Sequence, residues 1–215
     1  MEIKERFLNY VSFDTQSDSY SHTVPSTSKQ LKLGNYLVEE LKSLGIENAK
    51  IDEFGVVYGT IPSNNNHQGD VIGFIAHMDT SPDASGKDIH PQIIKDYQGQ
   101  KITLNEDKEL YLDPEQYPQL LQLIHHDLIT TDGTTLLGAD DKAGIAIIMQ
   151  WWNIFIIIQN LNIMIFKLLL HLMKKLDMVV ITLMLITSMH NMLIPLMVEI
   201  FTLLNMKTLT HLVPK

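Results

Sequence analysis

Ile75-Ala76-His77-Met78-Asp79-Thr80-Ser81-Pro82-Asp83 is an apolar run that ends in a histidine and a carboxylate two residues apart. That spacing is informative only on extended backbone, where residues i and i+2 point to the same side. A strand entering through Asp70-Val71-Ile72-Gly73-Phe74 would then present His77 and Asp79 together at its carboxyl end. Open α/β sheets place their chemistry at that end. A neutral imidazole there can bind a metal, and a neighbouring carboxylate can fix its tautomer. Taken alone, the pair reads more readily as a histidine and an acid in a solvated loop.

A second cluster lies downstream, Leu137-Gly138-Ala139-Asp140-Asp141-Lys142-Ala143-Gly144. Two adjacent acids among small residues predict a tight loop leading into a helix that starts near Lys142. A carboxylate there is favoured by the helix dipole, so a helix-capping aspartate is the simpler reading of this cluster by itself.

Together the two stretches closely resemble the peptidase T group, the tripeptide aminopeptidase branch of the M20 family of two-zinc peptidases. Glu5 to Ser17 and Val24-Pro25-Ser26-Thr27 resemble the opening helix and the next loop of that family, and the likeness covers roughly residues 1–148. It implies an α/β catalytic domain with a mixed sheet flanked by helices, and zinc as cofactor. It implies that His77 ligates one zinc, that Asp140 bridges both with a cis peptide after it, and that Asp79 orients His77 and counts as catalytic. Tripeptides would be the substrates, and a homo-oligomer is possible through a lid domain that this chain is expected to lack.

The rest of the chain bounds the alternatives. There is no cysteine among the 215 residues, so any metal must be held by His and carboxylates. A net charge of -9 argues against a nucleic-acid surface. Met1 to Arg6 is charged and lacks a signal-peptide core, so a cytoplasmic location is expected. Ile3, Phe7, Leu8 and Val11 have helical spacing, and a second helix is predicted over Ser28 to Leu44 with Gly45 ending it. Ala49–Asp52 and Val56–Ile61 read as paired strands. Ala84 to Asp127 reads as mostly irregular surface excursions, with His90, His125 and His126 as loop histidines.

Beyond about Met149 the composition changes. The 65 residues from Trp151 to Lys215 hold no Gly, Ala, Arg or Tyr and only two acids, Asp177 and Glu199, while nine of the 11 methionines lie at or after Met149. Its apolar runs are interrupted by Gln159, Asn160, Asn162, Lys167, His171, Lys174 and Lys175 before reaching the roughly 18 residues a membrane span needs. Residues 149–215 are therefore read as translated out of frame, with no native fold. Leu170 to Asp177, written TTA CAC CTG ATG AAG AAA TTG GAT, becomes Thr-Pro-Asp-Glu-Glu-Ile-Gly once two bases are dropped. In the same phase Ile194 to Ile200 becomes Thr-Ile-Asp-Gly-Gly-Asp, and Gln150-Trp151-Trp152, with the first two bases of the Asn153 codon, becomes Met-Val-Glu. These resemble, in order, further motifs of the family, including its acidic pair. Without them the chain lacks the family's general base and remaining ligands, and is expected to be inactive and poorly folded. Three alternatives stay open: another M20 peptidase or deacylase, a membrane-associated hydrophobic fragment, and a non-catalytic binding module.

Overall fold

The structure is a computed structural model that describes residues 1–63, 72–157 and 166–171. It opens with helix α1 (Ile3–Val11) and helix α2 (Gln30–Ser43), followed by strands β1 (Lys50–Ile51), β2 (Val57–Ile61) and β3 (Ile72–His77). Strands β4 (Pro91–Ile94), β5 (Ile102–Asn105), β6 (Leu110–Leu112) and β7 (Leu128–Thr131) come next, with a 3-10 turn over Pro118–Leu123. Helix α3 (Ala139–Ile157) and strand β8 (Phe166–His171) complete the set.

The main sheet has the order β1-β2-β8-β3. Pairs β1/β2 and β2/β8 are antiparallel and β8/β3 is parallel, so the sheet is mixed, in an α/β architecture. Helices α2 and α3 pack on the sheet face that carries Val57, Gly59, Phe74 and Ala76. A Cβ on Gly34 of α2 would stand 3.5 Å from Val57, one on Gly59 would stand 3.0 Å from the Trp152 ring of α3, and Phe74 meets Trp151 edge-on at 5.9 Å. Tyr58, Thr60, Gly73 and Ile75, which alternate with these, are half-buried. That is the period of two a strand imposes when one face takes the helices.

Local sequence explains the helix ends. In α1 the Glu2 amide donates to the Glu5 carboxylate, supplying part of a capping box. Helix α2 buries Leu33, Leu37 and Leu41 on one stripe, each contributing roughly 1.5–3 kcal/mol. It ends at Gly45, whose φ of 89° lets the Ile46 amide reach back to the Leu41 carbonyl at 3.0 Å. A buried polar knot joins the helices: Arg6 donates to Glu40 at 2.8 Å and to Gln150 at 2.9 Å, and the Tyr10 hydroxyl donates to Glu40 at 2.7 Å.

Two regions differ from the sequence reading. The stretch from Ala84 to Asp127 contains β4, β5, β6 and the 3-10 turn, and its Tyr97, Ile102, Leu112, Leu120 and Leu123 form a separate core with Leu128 of β7. Its apolar residues fall in runs too short to carry a helical or strand period across the stretch, and they meet through the β4/β7 and β5/β6 pairings. Past residue 148, α3 runs on to Ile157 with Trp152 fully buried, and β8 enters the centre of the sheet with Leu170 fully buried. Residues 172–215 lie outside the described ones, as do Asp70 and Val71. No helix among the described residues is long and apolar enough to cross a membrane.

Candidate functional site

Two chain segments far apart in sequence meet at the carboxyl end of β3. His77 is the last residue of that strand, and Asp140 lies in the non-helical turn that opens α3, with φ -93° and ψ 100°. The His77 Nε2 is 3.0 Å from the Asp140 Oδ1. On the other side of the ring, Nδ1 lies 3.0 Å from the backbone carbonyl of Asp79 and 3.4 Å from its carboxylate. The three residues singled out in the sequence are thus one cluster, and the Asp140–Asp141 peptide is cis. His90 and His125 are exposed and pair elsewhere, with Asp132 at 3.5 Å and Asp96 at 3.1 Å.

The adjacent acids divide their work, which the sequence alone left open. Asp141, 2% exposed, takes the backbone N–H groups of His77 and Gly144 on its carboxylate. It therefore caps α3, whose regular turns begin at Lys142, and ties that helix to the end of β3. Asp140 is left to face the histidine. The three-residue step from Asp141 to Gly144 was the available signal, because a side chain at Gly144 would stand 2.9 Å from the Asp141 carboxyl carbon.

The electrostatics follow from three carboxylates around one ring. Burial works against the charged imidazole, but Asp140, Asp79 and Asp141 more than offset it and push the His77 pKa up to about 10. Burial raises Asp141 to about 7, aided by Asp140 and opposed by His77. Lys142, 1% exposed, is lowered by burial to about 7, against the attraction of Asp14. The carboxylates stabilise positive charge on the His77 ring, whose Nε2 points at the Asp140 Oδ1. That donor set fits a divalent cation, for which imidazole nitrogen and carboxylate oxygen are ordinary ligands. It fits only in part, since no group of three or more His, Cys, Asp or Glu suited to a metal occurs among the described residues.

No family model matches the chain. It is 57% identical over 145 residues to peptidase T of Clostridium acetobutylicum, covering 67% of this chain and 36% of that protein. With peptidase T of Bacillus subtilis it shares 57% over 148 residues, covering 69% and 36%. The N-terminal two-thirds of the chain is homologous to peptidase T. Among solved structures, aminopeptidase PepT of Bacillus cereus superposes with a TM-score of 0.51 at 22% identity, over 78% of this chain and 35% of that one. A tripeptidase of Staphylococcus aureus superposes with a TM-score of 0.50 at 21% identity over the same shares. These agree with the α/β peptidase fold. The chain spans about a third of the length of the peptidase T relatives it matches, and both site segments, at His77–Asp83 and Gly138–Gly144, lie within its first 148 residues.

Proposed function

We propose that the gene specifies a metal-dependent aminopeptidase releasing the N-terminal residue of tripeptides, and that the 215-residue chain itself is silent. The observation that carries the first part is the 3.0 Å approach of His77 Nε2 to Asp140 Oδ1 in a chain 57% identical to peptidase T. In this reading His77 and Asp140 are metal ligands, and Asp79 orients the imidazole through Nδ1. The carboxylates that keep a proton on His77 would equally favour a cation there. Zinc, when bound, would supply a water whose pKa falls to about 7. A catalytic zinc takes about three protein ligands besides its water, and His77 with Asp140 falls short of that for either of two ions.

The second part rests on the tail. Strand β8 supports it in an unexpected way. Written TTC AAA TTG CTT TTA CAC, Phe166–His171 re-reads from its third base as Gln-Ile-Ala-Phe-Thr, again a sequence fit for a buried strand. The re-read Pro-Asp-Glu-Glu follows directly. Because His171 is the parallel partner of His77, the acidic pair of the restored frame would leave the sheet at the end where His77 and Asp79 sit. A frame lost near Gln150 thus accounts for the altered composition, the missing ligands and the preserved strand position together.

Resequencing the gene from the Ala146 codon onward tests this. If the shifted phase spells Asp-Glu-Glu and Asp-Gly-Gly, the reading stands, and a one-base repair followed by a zinc-dependent tripeptidase assay tests the activity. If neither motif occurs in any phase, the tail belongs to a different kind of protein. Zinc-dependent tripeptide cleavage by the purified 215-residue chain would overturn its inactivity.

A further inference from the structure

Lys142 is almost fully buried beside the site, yet the proposed chemistry gives it no task. Among the described residues its Nζ makes one hydrogen bond, donating to the Phe13 carbonyl at 2.7 Å. Phe13 begins the segment that leaves α1, and the next residues of that segment are bound to the other half of the site. The Thr80 amide donates to the Thr15 carbonyl at 3.1 Å, and the Ser17 amide donates to the Thr80 carbonyl at 3.0 Å. Gln16 donates from Nε2 to the carbonyls of Pro82 and Ala84 at 3.1 and 2.8 Å. Residues 13–17 therefore grip the chain just past His77-Met78-Asp79 on one side and the start of α3 on the other. Close packing leaves this joint little slack: Gly138, with φ 75°, would bring a Cβ to 3.0 Å from Thr80 and 3.6 Å from Lys142 Nζ.

We infer that Lys142 is a positioning residue, whose Nζ clasps the Phe13 carbonyl and so sets the spacing of His77 from Asp140. The inference rests on the reading of these two residues as a ligand pair, but its test needs neither metal nor substrate. A long aliphatic stem with a single donor at its tip spans from α3 to the loop after α1, and a clasp of fixed length is what a 3.0 Å pair of site atoms needs on the far side of the joint.

The test is the Nε2 resonance of His77 in the full chain labelled with 15N-histidine, compared in Lys142→Met, Lys142→Arg and a distant core variant, Trp152→Phe. Expected is a shifted, weakened hydrogen-bonded Nε2 signal in Lys142→Met, return toward the parent position in Lys142→Arg, and no shift in Trp152→Phe even where its thermal midpoint falls. An unchanged His77 signal in Lys142→Met, whatever its stability, overturns the inference, because the buried amine would then only support the fold. Should Lys142→Met not fold, Lys142→Gln, a shorter neutral donor, takes its place with the same two outcomes. Failure of the peptidase reading would appear as an inactive repaired gene while the His77 signal still answered to Lys142.

Discussion

Strands β3 and β8 lie side by side in parallel register, from Ile72 opposite Phe166 to His77 opposite His171, and they answer to different demands. Strand β3 ends in specific chemistry: its last residue faces Asp140 at 3.0 Å, and the residues after it are bound by Thr15 and Ser17. Strand β8 lies between β2 and β3 and contributes a fully buried Leu170. A backbone slot in a sheet offers the same N–H and C=O groups to any strand, so it accepts many apolar sequences. A constellation of donors accepts only one set of side chains. A change of reading frame that leaves residues apolar can therefore preserve the first while removing the second.

The largest expected effect separates those demands directly. On the proposed loss of frame, a one-base repair would re-write β8 as another strand-forming sequence and bring back the acidic residues after it, so tripeptide hydrolysis should rise by at least about 10²–10⁴-fold, the range a general base supplies. A repaired chain as silent as the parent would break the contrast. Next, the slot itself can be stressed. Leu170→Asp should cost about 3–5 kcal/mol, as an uncompensated buried charge does, whereas Leu170→Ile should stay within about 1.5 kcal/mol. Urea unfolding of both measures how little the slot asks beyond apolar volume.

Smaller effects sharpen the β3 side. Gly144→Ala puts a methyl against the Asp141 carboxyl group that caps α3 and binds the His77 amide. It should cost about 1–3 kcal/mol in urea unfolding, the usual penalty of overpacking. The smallest concerns pH. Burial opposes ionisation of Asp14, but the Gln16 amide and the Lys29 ammonium, 3.0 Å away, hold its pKa below the usual carboxylate value of 3.8. A lowered folded pKa contributes stability that is present above the unfolded value and is lost as pH falls through the folded one. Asp14→Asn should therefore flatten the acid limb of a thermal-midpoint titration below about pH 4 by the equivalent of no more than about 1 kcal/mol, since the pair is part-exposed. A midpoint profile that did not change in that range would remove Asp14 from the forces steadying the loop of residues 13–17.

Much of this was legible without coordinates. The stripe Leu33, Leu37, Leu41 and the terminating Gly45 fix α2 from local periodicity and backbone freedom, and the two short runs Ala49–Asp52 and Val56–Ile61 predict the β1/β2 pair. His77 and Asp79 were marked by residue type and spacing, and Asp140 by the resemblance of its motif to the peptidase T group. The mini-core around Tyr97 and Leu120 was not legible, because its members come together only through pairings between distant strands.

The sequence by itself determined which residues could do chemistry and where the composition stops resembling that of a folded domain, because residue type and local period are properties of the chain. Only the tertiary structure decided that Asp141 caps the helix while Asp140 faces His77, that Lys142 reaches Phe13, and that Phe166–His171 fills the slot beside β3. Those outcomes depend on contacts across as many as 129 residues of separation, and no local pattern encodes a distance between segments that only packing brings together.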